Sequence, residues 1–148
     1  MGNESSKKVT GSCLCGAVKF EATPPGLYFI HCHCSNCRRA HGAAFVTWTG
    51  FKNENFKITS SPDNLTRYHT DTNATRSFCK KCGSTLFFES REGEGEAEEE
   101  VAVALANLNG EPGLEPEGHY FVDHKAKWFP ITDSLPQYGG ESGDEPKK

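Results

Sequence analysis

The chain has 148 residues and a formal charge of −4, a length that buries one hydrophobic core and leaves no room for a second independent one. Net acidity argues against a nucleic-acid partner, whose phosphates call for a basic face, and no apolar stretch reaches the roughly 18 to 20 residues of a membrane span. The N-terminus lacks the apolar core of a secretory signal, so the seven cysteines are expected in a reducing, cytoplasmic setting, as thiolates or metal ligands rather than disulfides.

Residues 1–8 read as a flexible N-terminus, 9–138 as the domain and 139–148 as a disordered tail. The opening Met1-Gly2-Asn3-Glu4-Ser5-Ser6 also matches the loose N-myristoylation pattern, with Gly2 as acceptor. Apolar and β-branched runs at 17–22, 28–30, 44–49, 56–59, 65–69, 76–78, 85–88 and 101–105 read as short strands between turn residues. Within the first run, Val18, Phe20 and Ala22 face one way and Lys19 and Glu21 the other, so one side is buried and one wet. The helical candidate lies at 35–41, with Ser35 or Asn36 as its cap. Phe45, Trp48, Trp128 and Phe129 are expected to fill the core. Residues 91–100 (REGEGEAEEE) hold six acids, more than the whole net excess, and read as a solvated loop. Many short strands tied by metal knuckles predict a small, mainly β zinc-binding domain with short helical segments.

The cysteines fall in three clusters: Cys13 and Cys15; Cys32, Cys34 and Cys37; Cys79 and Cys82. In the first and last, glycine follows the second cysteine at once (Gly16, Gly83), which lets the backbone turn tightly around a thiolate. Those two knuckles together make a closed four-cysteine zinc site that staples the fold. The middle cluster lacks that glycine. Cys32 and Cys34 share one side of an extended segment, and Cys37 returns from the first turn of the following helix. Three thiolates leave a fourth position open, the arrangement of a reactive zinc.

Two other readings compete for the middle cluster. A histidine from His31, His33, His41, His69, His119 or His124, with His41 the best placed, would close the site; alternatively, the three cysteines would be a metal-free redox relay. His33, flanked by two ligands, is expected to point away from their metal, beside the site or at the surface. Arg38 and Arg39 follow Cys37 and either hold the carboxylates of an acidic thiol ligand or offset the charge of the metal-bound thiolates.

The segments Gly11-Ser12-Cys13-Leu14-Cys15-Gly16-Ala17-Val18, Cys32-His33-Cys34-Ser35-Asn36-Cys37-Arg38-Arg39 with Gly42, Arg76-Ser77-Phe78-Cys79-Lys80-Lys81-Cys82-Gly83, and Trp128 through Leu135-Pro136 together resemble the glutathione-dependent formaldehyde-activating enzyme (GFA, or CENP-V/GFA domain) family. The resemblance implies a fold of coiled β-sheets, the β-tent. It also implies two zinc ions per chain, one structural on Cys13, Cys15, Cys79 and Cys82 and one catalytic on Cys32, Cys34 and Cys37. The implied activity is that of a carbon–sulfur lyase joining glutathione, or another small thiol, to formaldehyde or a related small electrophile to give S-hydroxymethylglutathione or its analogue. Arg38 and Arg39 are the expected substrate-binding residues. Motif residues that are metal ligands do not read substrate, so a non-catalytic glutathione or zinc carrier and a zinc-stapled interaction module stand as alternatives.

Overall fold

The computed structural model describes residues 7–90 and 100–147. Among these the fold is mainly β, with strands β1 (Val9–Ser12), β2 (Lys19–Ala22), β3 (Phe29–Cys32), β4 (Val46–Lys52), β5 (Phe56–Ile58), β6 (Leu65–His69), β7 (Ala74–Cys79), β8 (Thr85–Ser90), β9 (Glu100–Ala104), β10 (His119–Tyr120), β11 (Tyr138–Gly139) and β12 (Glu145–Pro146), and with the helix α1 (Ser35–His41) between β3 and β4. Residues 1–6, which carry the acylation pattern, and 91–99, which carry most of the acidic run, lie outside the described residues. The chain divides into two compact units, 1–27 with 49–114 and 28–48 with 115–148.

In the first unit, the alternation read in the sequence does its expected work: Val18, Phe20 and Ala22 are buried and Lys19 is exposed. β2 pairs antiparallel with β1 on one side and β5 on the other. Gly11 lies opposite Phe20, and a side chain at this position would run into the Phe20 ring. The absence of a Cβ there lets the ring lie flat across the neighbouring strand. Phe20, Phe56 and Phe87 meet at centroid distances of 5.1–5.7 Å, within the range of favourable aromatic packing. β6, β7, β8 and β9 run antiparallel in succession. Their inward residues Leu86, Phe87, Val101 and Val103 complete a core that also contains Cys13 and Cys79.

In the second unit, β3 pairs with β10 in parallel, His31 opposite His119 and Cys32 opposite Tyr120. Because strand side chains alternate, His31 and His33 leave one face of the extended segment and Cys32 and Cys34 the other. Trp48 is buried as expected, but Trp128 is 71% exposed and fills no core. The segment at its position turns without a regular strand or helix. Near the C-terminal end the described residues form a short antiparallel pairing. Tyr138 and Gly139 pair with Pro146 and Glu145, Gly140 and Gly143 take positive φ in the intervening turn, and Gly140 N–H donates to Asp123 (2.8 Å). Glycine supplies the left-handed positions of this turn, and the Ser142 hydroxyl donates to Asp144 and Glu145 within it.

Candidate metal centres

The first knuckle turns at Gly16 (φ +82°) and the second at Gly83 (φ +80°), conformations that favour glycine. The two glycine amides donate to carbonyls, Gly16 to Cys13 and Gly83 to Cys79. The amides that reach sulfur come from neighbours: Val18 N–H to Cys13 (3.3 Å), and Lys81 and Cys82 N–H to Cys79 (3.3 and 3.4 Å). The glycines thus bend the chain, and the adjoining residues supply the donors. Sequence reasoning missed Ser84, whose hydroxyl lies 3.2 Å from Cys82 Sγ and accepts from Leu14 N–H at 2.9 Å, tying one knuckle to the other. Its position one residue after Gly83 was the available signal. That hydroxyl is the leading reason the Cys82 thiol is pulled down to about 5, toward thiolate.

Cys13, Cys15, Cys79 and Cys82 converge with all four sulfurs within 4.8 Å of one another. The Cys13–Cys15 and Cys15–Cys79 separations are both 3.8 Å. A tetrahedral zinc about 2.3 Å from each sulfur sets its ligands about 3.8 Å apart, so the spacing fits such an ion.

Cys32, Cys34 and Cys37 form the second group, with Cys32 and Cys37 buried and their sulfurs 3.7 Å apart. No histidine, cysteine or carboxylate joins the three among the described residues. His41 instead stands edge-on to Trp48, centroids 5.2 Å apart. The neighbouring Cys34 and Cys37 thiols, followed by burial, push the Cys32 thiol up. Crowded this way without a cation, the Cys32 thiol resists ionisation, and a bound cation reverses that preference.

Local folding positions the trio. Cys34, rather than Ser35 or Asn36, caps α1: its backbone is extended and its sulfur accepts from Cys37 N–H at 3.2 Å. Gly42 ends the helix in the left-handed conformation, with its N–H on Arg38 O. Arg38 also donates from Nε to His33 O (3.4 Å) and from Nη2 to His124 O (2.9 Å), so much of its fork is directed at backbone. Arg39 is exposed.

His33 is fully buried, not at the surface. Its Nε2 lies 2.8 Å from His119 Nδ1, and His119 Nε2 lies 3.0 Å from Asp133 Oδ2. His31 Nδ1 is 2.8 Å from Thr47 Oγ1, and Phe45 packs against the rings of His31 and His33 (5.2 and 5.1 Å). Burial, then the neighbouring His119, pulls His33 down to about 4, and burial lowers His31 as well. The His119 contact, then Leu135 N–H, holds the Asp133 carboxyl below its usual range. The His119–Asp133 link was not readable in the chain, and its faint signal is an Asp two residues before the backbone amide it accepts from.

A family model described as glutathione-dependent formaldehyde-activating enzyme matches residues 8–124. The chain belongs to this family. It is 31% identical over 84 residues to an uncharacterized lyase of Schizosaccharomyces pombe, a match covering 57% of this chain and 59% of that protein's length. It is 29% identical over 129 residues to a Halomonas elongata protein named, provisionally, for glutathione-dependent formaldehyde activation, covering 82% of this chain and 79% of the relative. A crystal structure of a Rhodobacter sphaeroides protein superposes with a TM-score of 0.56 at 30% identity, over 72% of this chain and 97% of that one. No helix among the described residues is long and apolar enough to cross a membrane.

Proposed function

We propose that this chain is a two-zinc carbon–sulfur lyase-type enzyme that combines glutathione, or a similar small thiol, with formaldehyde or a related small electrophile. The observation that carries this reading is the group of three thiols that no fourth side chain joins among the described residues. Family membership and the names of the relatives support it. Cys13, Cys15, Cys79 and Cys82 would hold a structural ion and Cys32, Cys34 and Cys37 the reactive one. When bound, the reactive zinc supplies a Lewis-acidic position at which a thiol gives up its proton near neutral pH.

The remaining work falls to the chain. Cys34 accepts from the helix amide and so orients its own sulfur toward those of Cys32 and Cys37. Arg38 ties the carbonyls of His33 and His124 and so keeps the segment from opening, which makes it a positioning residue. Arg39 is the better candidate for a substrate carboxylate, because its side chain is exposed and its planar fork suits that group. In the reaction one carbon–sulfur bond forms, and the thiol proton ends on the former carbonyl oxygen.

The test is product formation from glutathione and formaldehyde by the zinc-loaded protein, measured against the spontaneous rate. A rate above background that disappears in Cys37→Ser is expected. Glutathione binding without turnover would make the protein a carrier, and the absence of both binding and turnover would overturn the proposal.

A further inference from the structure

The four cysteines of the first centre are not equally accessible. Cys13 and Cys79 are buried and Cys82 is half-buried, whereas Cys15 is exposed. Leu14 beside it is 86% exposed, so this knuckle stands out from the surface and a small solute reaches Cys15 without any opening of the fold. On its inner side, Cys79 Sγ lies 3.8 Å away, held in place by the Lys81 and Cys82 amides. A disulfide is about 2.05 Å long, so the two sulfurs need close by only about 1.8 Å to bond. Cys13 Sγ is equally near, but it sits two residues from Cys15 on one knuckle. A bond there would close a small ring against the turn set by Gly16 N–H on Cys13 O (3.2 Å) and Cys13 N–H on Val18 O (3.1 Å). Exposure and spacing thus select Cys15 and Cys79, whether or not an ion lies between them.

We propose that Cys15 is a site of oxidation by hydrogen peroxide, and that Cys79 resolves it, so that a Cys15–Cys79 disulfide takes over from the ion as the link between the knuckles. In the first step the Cys15 sulfur attacks one peroxide oxygen, the O–O bond breaks, the sulfur becomes a sulfenic acid and one water leaves. In the second, the Cys79 sulfur displaces the hydroxyl from the sulfenic sulfur, the S–S bond forms and a second water leaves. Two electrons pass from the cysteines to the peroxide. Each water takes its proton from the thiol, or from solvent where the sulfur was a metal-bound thiolate. An ion held there loses two of its four ligands and is released. The new bond spans the same 64 residues as the ion did, so the constraint on the unfolded chain is kept. Oxidation thereby removes the metal without freeing the knuckles, and this does not depend on the activity proposed above.

The experiment is a hydrogen peroxide titration of the full, zinc-loaded chain, with and without a carbon acid that traps sulfenic acids, read by non-reducing tryptic mapping and a metal-binding dye. Cleavage after Lys80 and Lys81 separates Cys79 from Cys82, and Cys32, Cys34 and Cys37 fall in another peptide, so each sulfur is followed apart from the rest. The expected result is the trap on Cys15 and, without the trap, the peptide of Cys15 joined to that of Cys79 as zinc is released. Excess dithiol with zinc should restore the starting state. The oxidised protein should keep its thermal midpoint within a few degrees, whereas chelator with reductant lowers it far more. Cys82→Ser retains both reacting sulfurs and should still form the bond; the wild-type map decides the pairing even if that variant does not fold. First labelling at any other cysteine of this centre, or a Cys13–Cys15 bond, overturns the proposal. So does a Cys15 that stays reduced after Cys32, Cys34 and Cys37 are fully oxidised. A midpoint as low as that of the chelated protein overturns the replacement of the ion by the bond.

Discussion

The two cysteine groups use the same atoms for opposite ends. Cys15 and Cys79 are 64 residues apart, so an ion held between the knuckles closes a long loop that the unfolded chain would otherwise leave open. Cys32 and Cys37 are five apart, and an ion there closes almost nothing. On loop-closure entropy alone the first cross-link is worth about 2 kcal/mol more than the second. The ends of the long loop also carry core residues, since Cys13 and Cys79 sit in the main apolar cluster of their unit. On the two-zinc proposal, metal and fold would be linked at the first centre, whereas the second could exchange ligands without undoing the structure around it. On the function proposed above, the seven cysteines would divide between a closed set that stabilises and an incomplete set that reacts.

The severest way to break this contrast is Cys79→Ser. It removes a fully buried ligand and leaves three thiolates and an orphaned knuckle. A loss of several kcal/mol is expected, about the scale of structural zinc in small domains, read as a collapse of the thermal midpoint together with release of metal. Cys37→Ser should do the reverse: bound zinc falls from about two per chain to about one, the midpoint moves by only a few degrees, and turnover is lost. Simultaneous loss of both metals in Cys37→Ser would mean that the two centres are one cooperative cluster.

Gly83→Ala sharpens the comparison more gently. The position has open space around it, so its cost is the left-handed backbone alone, about 1 kcal/mol, visible as a small drop in midpoint with zinc content intact. The smallest effect is expected from Ser84→Ala. In the folded protein the Cys82 thiol is held down at about 5, below its unfolded value, so its thiolate contributes most above the unfolded value. That contribution falls away as pH drops toward 5 and protons compete with the metal. Removing the hydroxyl raises the thiol's pKa, so half-release of zinc should move to higher pH when followed with a metal-binding dye.

The cysteine clusters were legible because the spacing within each is a local property. Cys32, Cys34 and Cys37 sit within one strand end and one helical turn, and Gly16 and Gly83 mark their knuckles in the letters themselves. The helix over 35–41 was equally local, yet its cap was not, because a thiol is seldom counted among the side chains that cap helices. Asp133, His119 and His33 were opaque for a different reason. Their contact depends on a two-residue parallel pairing between β3 and β10, which brings His33 and His119 together from 86 residues apart and carries no hydrophobic period of its own. For Arg38 the sequence shows the charge but not the two carbonyls to which it donates.

The alternation along β3 also limits which changes in length this segment can accept. His31 and His33 occupy one side of the strand and Cys32 and Cys34 the other, in a register fixed against His119 and Tyr120. Deleting or inserting one residue at this point would interchange the two sets, placing thiols against Phe45 and imidazoles where the metal belongs. Two residues added or removed would at least preserve the parity. Variation in length here is therefore expected in even steps, a rule that a library of single and double insertions after Phe29 can test by counting which members still bind two metals.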